Sequence, residues 1–82
     1  MTDEYKQQLE SLGIKTLIGY INEESANDII NWILYMNLIP ISNKPNRLKI
    51  IIDSQGGNIE DTFAIIDTIR LTSIPVDTYG TG

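Results

Sequence analysis

Two consecutive glycines, Gly56 and Gly57, close the stretch Ile50-Ile51-Ile52-Asp53-Ser54-Gln55-Gly56-Gly57-Asn58-Ile59. Three β-branched residues in a row suit a strand, and Asn58 ahead of Ile59 suits the start of a helix. A glycine turn between strand and helix can leave backbone N–H groups facing the space above the strand end. Donors so placed bind anions and the oxyanions that develop during acyl transfer. The same two glycines also serve a tight turn that needs positive φ and close helix–strand packing, with no chemistry attached. From these residues alone both readings stand.

The neighbouring residues narrow the chemistry further. The turn is not a dinucleotide fingerprint, because G-x-G-x-x-G is absent, and no Gly-Lys-Ser/Thr follows it as in a phosphate-binding loop. Asp53 and Ser54 cannot complete a Ser-His-Asp unit within a chain that contains no histidine. Ser54 is expected to hydrogen-bond the turn instead. Glu60 and Asp61 read as carboxylates that satisfy the positive end of a helix, not as an acid–base pair. The absence of cysteine removes disulfides, thiol nucleophiles and Cys-ligated metal sites. No metal site and no cofactor is expected.

Composition bounds the partners. With 41% hydrophobic and 21% charged residues, the 82-residue chain matches an ordinary globular protein. Its net charge is −5, and its six basic residues (Lys6, Lys15, Lys44, Arg47, Lys49, Arg70) are scattered. That pattern argues against nucleic acid and acidic membrane surfaces, both of which require clustered Lys and Arg. The opening Met1-Thr2-Asp3-Glu4-Tyr5 is acidic where a secretory leader is basic and then apolar, and no apolar run reaches membrane-spanning length. A cytoplasmic location is the expectation.

The elements that must position the turn follow from periodicity. Residues 1–13 form a polar amino-terminal segment with one or two helical turns ending at Gly13, Tyr5, Leu9 and Leu12 sharing a face. Ile14 to Ile21 reads as a strand. Asn22-Glu23-Glu24-Ser25 caps a helix whose stripe is Ala26, Ile29, Ile30, Ile33 and Met36. Trp32 and Tyr35 widen that surface, either under a loop or against another subunit. Pro40 closes the helix, and residues 42–46 form a loop. Arg47 to Asp53 is the second strand, and its consecutive apolar residues predict cover on both faces. A second long helix starts at Asn58 with Ile59, Phe63, Ile66 and Ile69 as its stripe, and Val76 to Tyr79 is a third short strand. Strand, helix, strand, helix, strand with right-handed crossovers makes an α/β layer of short parallel strands alternating with two main helices.

Three ordered motifs resemble one family. Leu17-Ile18-Gly19-Tyr20-Ile21-Asn22-Glu23-Glu24-Ser25-Ala26-Asn27 is similar to the opening strand and helix of the proteolytic subunit of ATP-dependent Clp proteases. Ile52-Asp53-Ser54-Gln55-Gly56-Gly57 resembles that family's Ile-Asn-Ser-Pro-Gly-Gly, and Ala64-Ile65-Ile66-Asp67-Thr68-Ile69 resembles its Ala-Ile-Tyr-Asp-Thr-Met. The resemblance covers residues 14–82. It implies a partial crotonase-like, Clp protease-type ββα-repeat fold and a serine endopeptidase whose subunits form stacked rings fed by an AAA+ unfoldase. It further implies that Gly57 donates its N–H to the oxyanion, and that Gly56, Gly57, Asn58 and Ile59 pair with an extended polypeptide substrate. Identical or related proteolytic subunits are the implied partners.

The sequence departs from the family pattern at Gln55, which replaces a proline, and at Asp53, which replaces an asparagine and brings an acidic group near the oxyanion site. Lys49 falls at an edge position where the family often carries an aromatic for unfoldase docking. Gly80-Thr81-Gly82 aligns just upstream of the family's Gly-x-Ala-Ala-Ser nucleophile segment, so the domain is expected to be cut before the nucleophile and to be inactive alone. Residues 14–82 then form an incomplete protease domain that contributes the oxyanion turn. The alternatives are a non-catalytic ring subunit that modulates a host Clp protease and, more weakly, a fragment of a crotonase-type acyl-CoA enzyme.

Overall fold

The computed structural model describes residues 3–80. Helix α1 (Asp3–Ser11) leads into strand β1 (Ile14–Ile18), helix α2 (Glu23–Leu38), a short 3₁₀ turn (Ile41–Asn43), strand β2 (Leu48–Asp53), helix α3 (Ile59–Leu71) and strand β3 (Val76–Gly80). The three strands are parallel in the order β1-β2-β3, with Lys15 opposite Ile50 and Ile50 opposite Thr78. Two successive right-handed crossovers that step in one direction across a sheet place both helices on one face. Accordingly α2 and α3 pack against each other over the inner sheet residues Leu17, Leu48 and Ile50.

The helix boundaries have local causes. Asn22 and Ser25 form a reciprocal capping box: Ser25 N–H donates to Asn22 Oδ1 at 2.9 Å, and Asn22 N–H donates to Ser25 Oγ at 3.0 Å. At the other end of α2 the Ile39 N–H donates to the Tyr35 carbonyl before Pro40 ends the ladder. Asn58 caps α3 by accepting from Asp61 N–H at 3.2 Å. Gly13, with φ +92°, turns the chain from α1 into β1 where a Cβ would lie 2.9 Å from Pro45 Cγ.

Several expectations change. The strand expected from Ile14 to Ile21 stops at Ile18, because Gly19 adopts φ +97°. The isoleucine run in β2 is not covered on both faces: Leu48 and Ile50 are buried whereas Ile51 is exposed, since both helices lie on the same side. Lys49 belongs to the central strand, not to an edge, and lies on the open face. The α3 stripe is rotated from its expected position. Ile65 is buried and Ile69 partly so, while Ile59 and Phe63 are 69% and 59% exposed. Tyr5 and Leu12 are likewise exposed. Trp32 packs under α1, a helix, and donates Nε1–H to the Glu10 carbonyl at 3.1 Å; Tyr35 stays exposed. Thr81 and Gly82 of the carboxy-terminal motif, and Met1 and Thr2, lie outside the described residues.

On the open face, Arg47 ties the start of β2 to β3 by a two-pronged ion pair: Nε and Nη2 each donate to an Asp77 oxygen at 2.7 Å. Those hydrogen bonds hold the Asp77 carboxyl below the ordinary aspartate range, against a smaller desolvation effect, and raise Arg47 in turn. A lowered folded-state value means that the pair's stabilisation is complete above the unfolded aspartate pKa of about 3.9 and is lost as pH falls through the lower folded value.

Two measurements follow from this packing. Ile65→Ala should lower urea-unfolding stability by about 2–4 kcal/mol, whereas Phe63→Ala in the monomer should change it by less than about 0.5 kcal/mol. Equal costs would contradict the rotated α3 stripe. Wild type and Asp77→Asn should differ in urea midpoint at neutral pH and converge as pH falls below about 4. A difference that persists in acid would rule out the Arg47–Asp77 pair as its source.

Candidate functional site

The turn after β2 is built from its own side chain outward. Gly56 N–H donates to Ser54 Oγ at 3.2 Å, and the Ser54 hydroxyl donates to the Gly56 carbonyl at 3.1 Å. Ser54 therefore closes the turn, as its position suggested. Gly56 has φ +119°, a conformation that glycine adopts without steric cost.

Gly57 is held for a different reason. It forms an isolated parallel bridge with Ile21, in which Ile21 N–H donates to the Gly56 carbonyl at 3.1 Å and Asn58 N–H donates to the Ile21 carbonyl at 2.8 Å. A Cβ on Gly57 would run into the Ile21 backbone, including its nitrogen at 2.6 Å. Only glycine lets the two chains approach this closely. In a parallel bridge the residue whose neighbours bond the partner directs its own N–H and C=O the other way. Gly57 therefore aims its N–H away from Ile21, toward the side of the sheet on which β3 lies.

The four residues singled out in the sequence are thus brought together but are not equivalent. The N–H groups of Gly56 and Asn58 are consumed by Ser54 and Ile21. Among the described residues, no acceptor takes the N–H of Gly57 or of Ile59, the latter at the first position of α3. Free N–H donors at a helix start are chemically able to bind an anion or a carbonyl oxygen. Gln55 and Asp53 lie elsewhere: with Ile18, Gly19 and Tyr20 they line a depression of about 310 Å³ that does not include Gly57. The Asp53 carbonyl accepts from Gly19 N–H at 3.0 Å, a second tie between the ends of β1 and β2.

Beneath the turn, an apolar cavity of about 220 Å³ is lined by residues of the sheet, α2 and α3, among them Leu17, Ile21, Ile52 and Ile65. Sequence reasoning missed Ile21 as a site residue. Its signal was its place just after Gly19, where the strand was expected to continue. Among the described residues, no helix is long and apolar enough to cross a membrane.

Comparisons with known proteins agree on one family. The Clp protease family model matches residues 1–82. ATP-dependent Clp protease proteolytic subunit 2 of Treponema denticola is 41% identical over 66 residues, 80% of this chain and 32% of that protein. Proteolytic subunit 1 of Rhodopirellula baltica is 36% identical over 64 residues, 78% of this chain and 27% of its own length. The chain therefore spans under a third of the length of these curated relatives. In structure, it is similar to the ClpP protease catalytic domain of Plasmodium falciparum, with TM-score 0.89 and 29% identity over 100% of this chain and 44% of that one. ClpP1 of Listeria monocytogenes follows with TM-score 0.79 and 31% identity over 95% and 44%. The one-sided parallel layer and its glycine turn are thus a Clp-type arrangement, and the chain belongs to the Clp protease family.

Proposed function

We propose that this chain supplies the oxyanion-donor turn and the substrate-backbone contacts of a Clp-type serine endopeptidase subunit, with Gly57 N–H as the donor. The observation that carries this reading is the Gly57–Ile21 bridge, which spends the flanking groups and leaves the Gly57 N–H pointing outward. A donor fixed before the reaction stabilises charge where it develops and needs no reorganisation at that moment. The Ile59 N–H adds a second contact for a peptide laid along the turn, in the manner of a strand added to a sheet edge.

These 82 residues contain neither histidine nor cysteine, so they hold no general base of the usual kind for a serine nucleophile. Their part in hydrolysis is positioning and electrostatic. The domain extending from residue 14 acts within an assembly of identical or related proteolytic subunits. In support, the open sheet face carries exposed Ile18, Ile51 and Tyr79, and α3 carries exposed Ile59 and Phe63. Isolated apolar residues on a monomer need no explanation, but two such groups on a chain this small suit burial between subunits. The same resemblance assigns polypeptides as substrates and an ATP-dependent unfoldase as a further partner in the cytoplasm.

Titrating the ¹⁵N-labelled protein with an extended peptide should move the amide resonances of Gly57 and Ile59 most, leaving Asn58 nearly fixed. Equal shifts along residues 54–61, or none, would count against the reading. In the active protease, Gly57→Ala should break the bridge to Ile21 and lower kcat for peptide hydrolysis by about 10²–10³-fold. Retention of full activity would exclude Gly57 as the donor.

A further inference from the structure

Lys15 is 1% exposed, on the helix-covered face of β1 and in register with Ile50. Its ammonium meets two carboxylates from two different helices: Glu10 Oε1 of α1 at 2.7 Å and Asp28 Oδ2 of α2 at 2.8 Å. Lys6 of α1 adds a weaker contact to Asp28 at 3.8 Å. Glu10 also offers its main-chain carbonyl to Trp32 Nε1–H. Helix α1 itself contains no buried residue. Glu10 thus ties α1 to both β1 and α2, while no side chain of α1 is fully buried.

We propose that Lys15, Glu10 and Asp28 form an electrostatic latch, and that α1 is a lid over Trp32 whose docking is decided by charge pairing. The two carboxylates are not equivalent. Glu10 travels with α1, whereas Asp28 is fixed on α2 and keeps Lys15 paired when α1 leaves. A buried ammonium with no partner at all is costly, so a single carboxylate on α1 would bolt that helix in place. The second carboxylate on α2 lowers the cost of the open state and makes the contact releasable. Opening uncovers the Trp32 ring and the hollow of about 220 Å³ that Gln7, Glu10 and Ser11 of α1 form with Trp32, Tyr35 and Met36 of α2.

A latch of this kind separates two substitutions that a purely structural network would treat alike. Hydrogen exchange of the α1 amides is the primary readout, and emission of Trp32, the chain's single tryptophan, is the second. Glu10→Gln should speed α1 exchange by about tenfold, the size expected for losing a hydrogen bond between charged groups, and shift Trp32 emission to the red. Asp28→Asn, made in a Lys6→Gln background so that the contact of α1 with Asp28 is absent from both proteins, should leave α1 protected at or above the level of Lys6→Gln alone, because Lys15 then depends on Glu10 alone. The effect of Glu10→Gln should vanish in a Lys15→Met background, where no buried charge remains to be paired. Faster α1 exchange both in Glu10→Gln and, in the Lys6→Gln background, in Asp28→Asn overturns the latch. So does an equal effect of Glu10→Gln with and without Lys15, or loss of protection in β2 in step with α1.

Discussion

The backbone-to-backbone approach of Gly57 and Ile21 is the contact on which the site depends. It fastens the end of β2 to the segment after β1, and it does so only because no Cβ intervenes. Once that bridge forms, the Gly56 carbonyl and the Asn58 N–H turn toward Ile21, and the N–H and carbonyl of Gly57 turn away. The direction of one N–H group is thus a consequence of sheet geometry, with Ser54 bracing the turn on the other side. Asn58, which caps α3 by accepting from Asp61 N–H, starts the helix directly after Gly57.

The second constraint is the one-sidedness of the sheet. Both crossovers step the same way, so α2 and α3 cover one face and leave Ile18, Ile51 and Tyr79 on the other. A parallel sheet ordinarily has both faces covered. Here one face stays uncovered, because the two helices that could shield it both lie on the other side. The Arg47–Asp77 pair lies at the edge of this face and joins two strands without adding an apolar contact.

Charge also enters the covered face, at Lys15. A lysine in register with Ile50 would be destabilising if unpaired, yet it brings α1, β1 and α2 to one point through two short ion pairs. Trp32 completes that junction by donating to the main chain of the same Glu10. At this junction directional polar bonds tie the amino-terminal helix to β1 and α2, while Ile29, Ile33 and Met36 bury α2 in the core.

Local chemistry was legible along the chain. The Asn22 and Asn58 caps, the glycine turn and the closing role of Ser54 depend on residues within a few positions of one another, where steric and hydrogen-bonding preferences act directly. The family motifs were legible for the same reason. What the linear pattern could not determine is which way each face turns. Three isoleucines in a row do not reveal that Ile51 faces away from both helices, and an apolar stripe on α3 does not reveal that Ile65, not Phe63, meets the core. Those outcomes rest on how the two crossovers pack. So do the pairing of Lys15 with Glu10 and Asp28 and the contact between Ile21 and Gly57, because each joins elements that only the folded chain brings within reach.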